Sequence, residues 1–298
     1  MIPSRAALAA AADRSASIAR AWHDGEAVRH VAAAFAALTP DDATRVADAA
    51  AKLLADASWI TALLAPLTAA LRDDPWFDAP LRVARDPRRT VVRLLDLPAA
   101  TVSATVAMGD ADATTLTVSG RLAVTRYHRS GGARLLRWDA GPPDAGEALP
   151  LASLPAVELH DGLVLRTDGR REATLLDTVT PVATVTIATR APAMVREYDR
   201  ATGRRLRIAT GDDGASRTHM LLTLLRIAGR NDAGARFDAA TRAGAFHLRW
   251  EAMREWLALD ADAALPRLRE LAAGDPHAYV RAAAAVTLAR LGAAPCPV

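Results

Sequence analysis

The hydrophobic period of this chain changes twice along its length, and that change limits the folds open to it. From about Pro3 to Phe77 apolar residues recur at helical spacing: Leu8, Ala11, Ile18 and Trp22, then Val28, Val31, Ala32, Phe35 and Leu38 after Asp24-Gly25. From about Arg88 to Thr210 apolar and polar residues alternate, which puts one side chain in two on each face of a strand. From Asp213 onward the helical period returns. Parallel strands need long crossover segments between them, and no helical stretch interrupts the alternating zone, so the strands are expected to be antiparallel. The chain is therefore read as α+β, with an N-terminal helical region at 1–87, an antiparallel β-barrel or sandwich at 88–211, and a C-terminal helical region at 212–298.

Local chemistry places the breaks. Thr39-Pro40-Asp41-Asp42 reads as a helix start, with Thr39 as the N-cap and Pro40 at the first helical position. Leu53, Leu54, Trp59, Ile60, Leu63, Leu64, Leu67 and Leu71 continue the apolar face, and Pro66 is expected to kink or break it. Asp74-Pro75 ends the zone. Strands are expected at Thr90–Leu95, Val102–Met108, Thr114–Ser119, Leu122–Arg129 and Arg134–Asp139. After a loop at Gly141–Pro150 they resume at Ala156–His160, Leu163–Thr167, Glu172–Asp177, Val182–Thr189, Val195–Asp199 and Arg204–Thr210. Ser130-Gly131-Gly132, Asp161-Gly162, Asp168-Gly169 and Thr202-Gly203 supply the reversals. Ser216 is expected to cap a helix through Arg226 with Met220, Leu221, Leu224 and Leu225 inward, and a short helix is expected around Phe237.

Composition narrows the function classes. The chain has 298 residues, 51% of them hydrophobic and 4% aromatic, with a formal net charge of +3. Lys52 is the sole lysine, and the arginines are dispersed among 34 acidic residues. Binding nucleic acid through its backbone wants a concentrated basic face, so nucleic acid is not an expected partner. Cys296, the single cysteine, rules out a disulfide framework and a thiolate zinc site, and it lies in a Pro-flanked tail. No apolar run reaches the roughly 18 residues of a membrane span. The first twenty residues carry Arg5, Asp13, Arg14 and Arg20, too polar for a signal-peptide core. A cytoplasmic protein with no membrane partner is expected.

Two resemblances add to this reading. Ala264–Gly274, the turn Asp275-Pro276 and Tyr279–Leu291 form a helix pair in which Val280-Arg281 follows the Asp-Pro turn. Together with Leu248-Arg249-Trp250-Glu251-Ala252-Met253 and Leu257 upstream, and an inter-repeat turn at Asp260 to Asp262, the stretch at about 244–292 resembles one and a half HEAT repeats. On the second helix Val280, Ala283, Ala284, Leu288 and Leu291 are expected inward. The resemblance implies stacked helices that serve as interaction surfaces. Fewer than three such units cannot stand alone, so these helices are expected to cap the chain's own core or to complete themselves on a partner. The strand zone, with turns such as Asp161-Gly162-Leu163-Val164-Leu165, resembles a cupin or jelly-roll barrel. Cupin enzymes carry His-x-His and a downstream acid and histidine as metal ligands. His128 has no histidine two positions away, so the usual metal set is missing.

No catalytic constellation stands out. His23 and His30 lie seven apart across Gly25, and His219, His247 and His277 have no metal-ligand spacing. Gly211-Asp212-Asp213-Gly214 lacks the strand, lysine and helix of a phosphate loop. Ser119, Ser153 and Ser216 lack a nucleophile-elbow context. The candidate site is the hairpin Leu122–Asp139. Simple alternation puts Arg126 and His128 on one face of its first strand and Arg134 and Trp138 on one face of its return strand, where together they could hold an anionic or aromatic ligand. His160, beside Asp161, is a further candidate, and His128 and His160 are the candidate metal or acid/base residues if the chain is an enzyme or sensor. The expected function is a non-catalytic binding or adaptor protein that engages a protein or peptide through helical faces and the barrel rim. The alternative is a cupin-like enzyme or small-molecule sensor using the barrel interior, with or without a metal. The sequence implies no specific cofactor.

Overall fold

The computed structural model describes residues 5–142, 151–190, 194–210 and 213–293. Most of the loop expected at Gly141–Pro150, together with Gly211, Asp212 and Cys296, lies outside the described residues. The architecture is α+β, with helices first, antiparallel sheets in the centre and helices last. The chain divides into two compact units, Met1–Ala209 and Thr210–Val298. The expected boundary at residue 87 therefore falls inside a unit, because the N-terminal helices and the sheet share one core.

Those helices are α1 (Arg5–His23), α2 (Glu26–Ala33), α3 (Ala43–Ala55) and α4 (Ser58–Asp73). Trp22 fastens α1 to α4 by donating its indole N–H to Leu63 O at 2.7 Å. Two sequence expectations shift. The helix expected from Thr39-Pro40 opens at Ala43, because Thr39 N and Oγ1 both donate to Asp42 Oδ2 at 3.0 Å and hold a turn ahead of it. Pro66 lies inside an uninterrupted α4. The break comes earlier, where Asp56 accepts from the Ser58 amide and hydroxyl at 2.9 and 2.8 Å and satisfies donors at the start of α4. There α3 and α4 meet at 75°. Among the described residues no single helix is long and apolar enough to cross a membrane.

The strands are β1 (Arg82–Arg85), β2 (Arg89–Asp96), β3 (Ala100–Ala107), β4 (Thr115–Val118), β5 (Leu122–Arg129) and β6 (Arg134–Asp139). They continue with β7 (Ala152–Glu158), β8 (Val164–Asp168), β9 (Glu172–Asp177), β10 (Val182–Thr189), β11 (Met194–Asp199) and β12 (Arg205–Thr210). A six-stranded sheet has the order β1-β2-β3-β10-β5-β8, and two three-stranded sheets run β12-β11-β4 and β7-β6-β9. The short edge strand β1 is fully exposed and shows no alternation, so the sequence pattern misses it.

Register explains the large sheet's two faces. Val102, Ile187 and Val124 align across β3, β10 and β5, and with Leu122 and Val185 they join Leu53, Leu54 and Leu63 of the helices in one buried cluster. The intervening positions Ser103, Thr186 and Thr125 align on the opposite face, where Thr125 and Thr186 share a hydroxyl hydrogen bond of 2.9 Å. The helices thus cover the apolar face and leave the other rich in hydroxyls.

One turn is tight enough to predict. Gly131 has φ +60°, and a Cβ there would stand 2.2 Å from Thr180 Oγ1; Gly132 has φ +71° and open space around it. Gly132→Ala is expected to cost about 1–2 kcal/mol for the left-handed backbone. Gly131→Ala should cost more in urea unfolding, because it adds the clash.

The second unit contains α5 (Asp213–Ile227), α6 (Gly234–Ala240), α7 (Phe246–Leu259), α8 (Ala261–Gly274) and α9 (Ala278–Ala293). Leu222, Phe237, Met253, Leu268, Leu271 and Val280 lie in its core. The turn expected at Asp260–Asp262 contracts to Asp260, which caps α8 by accepting from Ala263 N at 3.0 Å. The expected inward face of α5 is corrected for three of its four residues, while Leu225 packs against the core as expected. Met220, Leu221 and Leu224 are exposed, whereas Leu222 is buried and packs with Met253 and Trp256 of α7, where polar contacts flank the apolar ones. There Arg226 pairs with Glu255, and His219 Nε2 lies 3.4 Å from Glu255 Oε1. Leu291, expected inward on α9, is also exposed.

Candidate functional site

The residues singled out in Leu122–Asp139 do not form one site. β5 and β6 are consecutive but unpaired. β5 lies between β10 and β8, and β6 between β7 and β9 in another sheet. The expected hairpin is therefore a crossing between sheets. A bulge also breaks the alternation within β5: Thr184 pairs with Tyr127 and Ala183 with Arg129, so His128 has no opposite partner.

Each side chain has its own task. Arg126 lies on the helix-covered face and donates through Nη1 to Leu54 O and Ala55 O, at 2.9 and 3.1 Å, at the C-terminal end of α3. Such carbonyls have no partner within the helix, and a cation there also complements the helix dipole. His128 is exposed at the strand end. Arg134 pairs with Asp177 at 2.6 Å. Trp138 packs in a separate cluster with Leu116, Leu175 and Tyr198 and carries the Arg200 guanidinium 5.6 Å from its ring centre. His160 is exposed, with Nδ1 3.2 Å from Asp161 O. Asp161 is tied to Ser130, accepting from its amide at 2.7 Å and its hydroxyl at 2.9 Å, and these bonds hold its carboxyl below the usual range. Among the described residues no three of His, Cys, Asp and Glu gather closely enough to hold a metal, so the donor set does not fit a cupin-type metal.

Arg126 and His128 do sense each other. Partial burial, and then the Arg126 charge, lower the His128 pKa, against a smaller opposing pull from Asp161. His128 should therefore titrate below an ordinary histidine, and Arg126→Met should move its titration upward. An NMR pH titration of the imidazole protons reads both.

A groove of about 810 Å³ lies elsewhere, on the N-terminal helices. Its wall on the α2 side is Ala33, Ala34, Ala37 and Leu38, with His30 at one end. Arg45, Asp48, Ala49, Lys52 and Leu53 of α3 form the facing wall, followed by Asp56 and Trp59. Helical geometry makes this wall, since residues three and four apart share a face. The alanines make the space, because they carry almost no side-chain volume. Trp59 is buried and closes the floor, its N–H donated to Leu53 O at 2.9 Å.

The charged groups of the groove are unevenly occupied. Asp48 pairs with Arg166 of β8 at 2.7 Å. Asp56 is engaged by Ser58, whose amide and hydroxyl are the main causes of its lowered pKa. Arg45 makes a looser, exposed pair with Asp42 at 3.4 Å. Lys52 has no ion-pair partner among the described residues. Composition marks this residue as the lone lysine, but it takes the fold to place it in a groove.

No protein-family model matches the chain, and no curated protein sequence matches it. Solved structures match parts of it. An ectoine synthase from P. lautus is 12% identical over 36% of this chain and 67% of its own, with a TM-score of 0.24. The capsular polysaccharide assembling protein CapF from Staphylococcus aureus is 12% identical over 44% of this chain and 32% of its own, at 0.28. An RmlC-like cupin protein from Ralstonia eutropha is 10% identical over 46% of this chain and 78% of its own, at 0.28. The HEAT resemblance of the C-terminal helices finds no support in these matches.

Proposed function

We propose that this chain is a non-catalytic binding protein that holds a small organic ligand in the groove between α2 and α3. The observation that carries the reading is the groove itself. Its open space of about 810 Å³ is comparable in size to small-molecule sites, and its lining combines an alanine wall with His30, Arg45, Asp48, Lys52 and Asp56. Binding is preferred to catalysis because Asp48 and Asp56 are committed to Arg166 and Ser58 and are poorly placed to shuttle protons. This reading puts the site on the helical face rather than the barrel rim, and makes the ligand a small molecule rather than a peptide.

The test is native mass spectrometry of protein purified gently from cells, beside Ala37→Trp, which fills the groove from an exposed position. A small molecule retained by the wild type and absent from the variant supports the reading. Equal retention by both, or no retained mass and no stabilisation by any member of a metabolite library, contradicts it.

A protein partner is favoured by one observation in the second unit. Met220, Leu221, Leu224 and Ile227 of α5 are 55–68% exposed, and an apolar helix face of this kind is a common docking surface. Leu224→Glu with Ile227→Glu should release a co-purifying protein if that reading holds. An unchanged set of co-purifying proteins counts against it.

A further inference from the structure

The charges of the groove specify the chemistry of its ligand, provided that the groove is a binding site as proposed above. Asp48 and Lys52 lie four apart on α3 and Asp56 follows at its C-cap, so the lysine sits between two carboxylates in sequence. In an isolated helix it would pair with one of them. Here Arg166 pairs with Asp48 at 2.7 Å, while the Ser58 amide and hydroxyl hold the Asp56 carboxylate at 2.9 and 2.8 Å without cancelling its charge, and neither acid forms an ion pair with the lysine. The lysine is left as an exposed ammonium beside an apolar wall of Ala33, Ala34, Ala37 and Leu38. Arg45 reinforces it, because an exposed 3.4 Å pair with Asp42 is easily exchanged for another anion.

We propose that the groove takes an amphipathic organic anion with a single acidic group. The acid sits on Lys52 with support from Arg45, and an apolar body lies along the alanine wall towards Trp59. A second negative charge on the ligand is disfavoured, because the carboxylates of Asp48 and Asp56 flank the lysine. A cationic ligand would have to compete with Arg166 for Asp48 and would meet Asp56 as a charged carboxylate already hydrogen-bonded to Ser58, and octylamine tests that case.

The experiment is calorimetric titration of the full chain at neutral pH with octanoate and, separately, octylamine. The variants are Lys52→Met, Lys52→Arg and Ala37→Trp, each checked for native circular dichroism. Octanoate should bind the wild type, about tenfold or more weaker to Lys52→Met, a difference of about 1.4 kcal/mol. It should bind Lys52→Arg within about threefold of the wild type and should not bind Ala37→Trp. Octanoate binding that ignores Lys52→Met, or octylamine binding as tight as octanoate, overturns the anionic assignment and leaves the groove reading standing. No binding of octanoate also overturns the assignment, and small-molecule retention in native mass spectrometry then decides separately whether the groove binds anything.

Discussion

Arg249→Met is expected to cost the second unit about 3–5 kcal/mol and to abolish its cooperative urea transition. Such a loss is typical when one member of a buried ion pair is removed and the other charge stays behind. The Arg249 and Asp275 side chains are 8% and 1% exposed and bond twice, at 2.8 and 2.7 Å. Arg249 also donates to Ala243 O and Gly244 O, at 3.0 and 2.9 Å, and Asp275 accepts from His277 N at 2.8 Å. This pair therefore locks the start of α7 to the α8–α9 turn. Replacing both members, as Arg249→Met with Asp275→Leu, should be much milder, because no charge is stranded. If the single variant unfolds no more easily than the double, the lock is not electrostatic.

The same pair has a pH signature. The Arg249 bond is the main reason the Asp275 carboxyl is held below its usual value. A depressed carboxylate contributes its full stability above its unfolded pKa of about 3.9 and loses it as pH falls through the folded value. The second unit should thus lose this increment in acid, below the ordinary carboxylate range, and Arg249→Met should remove that part of the dependence.

Trp59→Ala is expected to destabilise the first unit by about 3–5 kcal/mol, the usual cost of emptying a buried aromatic site. Trp59 is buried within the cluster that joins the helices to the large sheet, and it bonds Leu53 O. It is also the floor of the groove, so the variant should bind octanoate more weakly even where it stays folded. Trp59→Phe keeps most of the apolar volume and should cost less, about 0.5–1.5 kcal/mol for the hydrogen bond plus a small cavity left by the missing ring. Thermal unfolding of the two variants side by side checks the order. Equal losses would mean that packing at Trp59 does not dominate.

Much of the fold is legible in the sequence because period is a strong signal where one face is buried. β5, β6, β9 and β10 occur with the bounds the alternation predicts. Val31, Phe35, Leu63 and Leu268 are buried as helical spacing requires. The failures have local physical causes. β1 is an exposed edge strand and has no buried face to encode. Pro66 stays in its helix while Asp56 and Ser58 set the break instead. On α5, apolar residues lie on more than one face, so spacing alone does not choose the buried one: Leu222 and Leu225 pack on the core while Met220, Leu221 and Leu224 stay exposed.

The site is less legible than the fold. Alternation within β5 correctly groups Leu122, Val124 and Arg126, but it cannot foresee the bulge at His128 or the departure of β6 into another sheet. The groove depends on where a chain of small residues happens not to fill space, and on Arg166, 118 positions away, drawing Asp48 from Lys52. Neither has a local motif. The one sequence trace is the solitary Lys52.

Ligand binding in the helical groove is tested most directly by an NMR titration of the isotope-labelled full chain with octanoate, following backbone amides and alanine methyls. Shift changes are expected to concentrate at His30 to Leu38 and Arg45 to Trp59, with Thr125, Thr186 and the rest of the hydroxyl-bearing sheet face unmoved. Changes centred on Thr125, Thr186 and Ser103, with the alanine methyls of the groove silent, would contradict binding in the groove and move the ligand to the hydroxyl-bearing face of the large sheet.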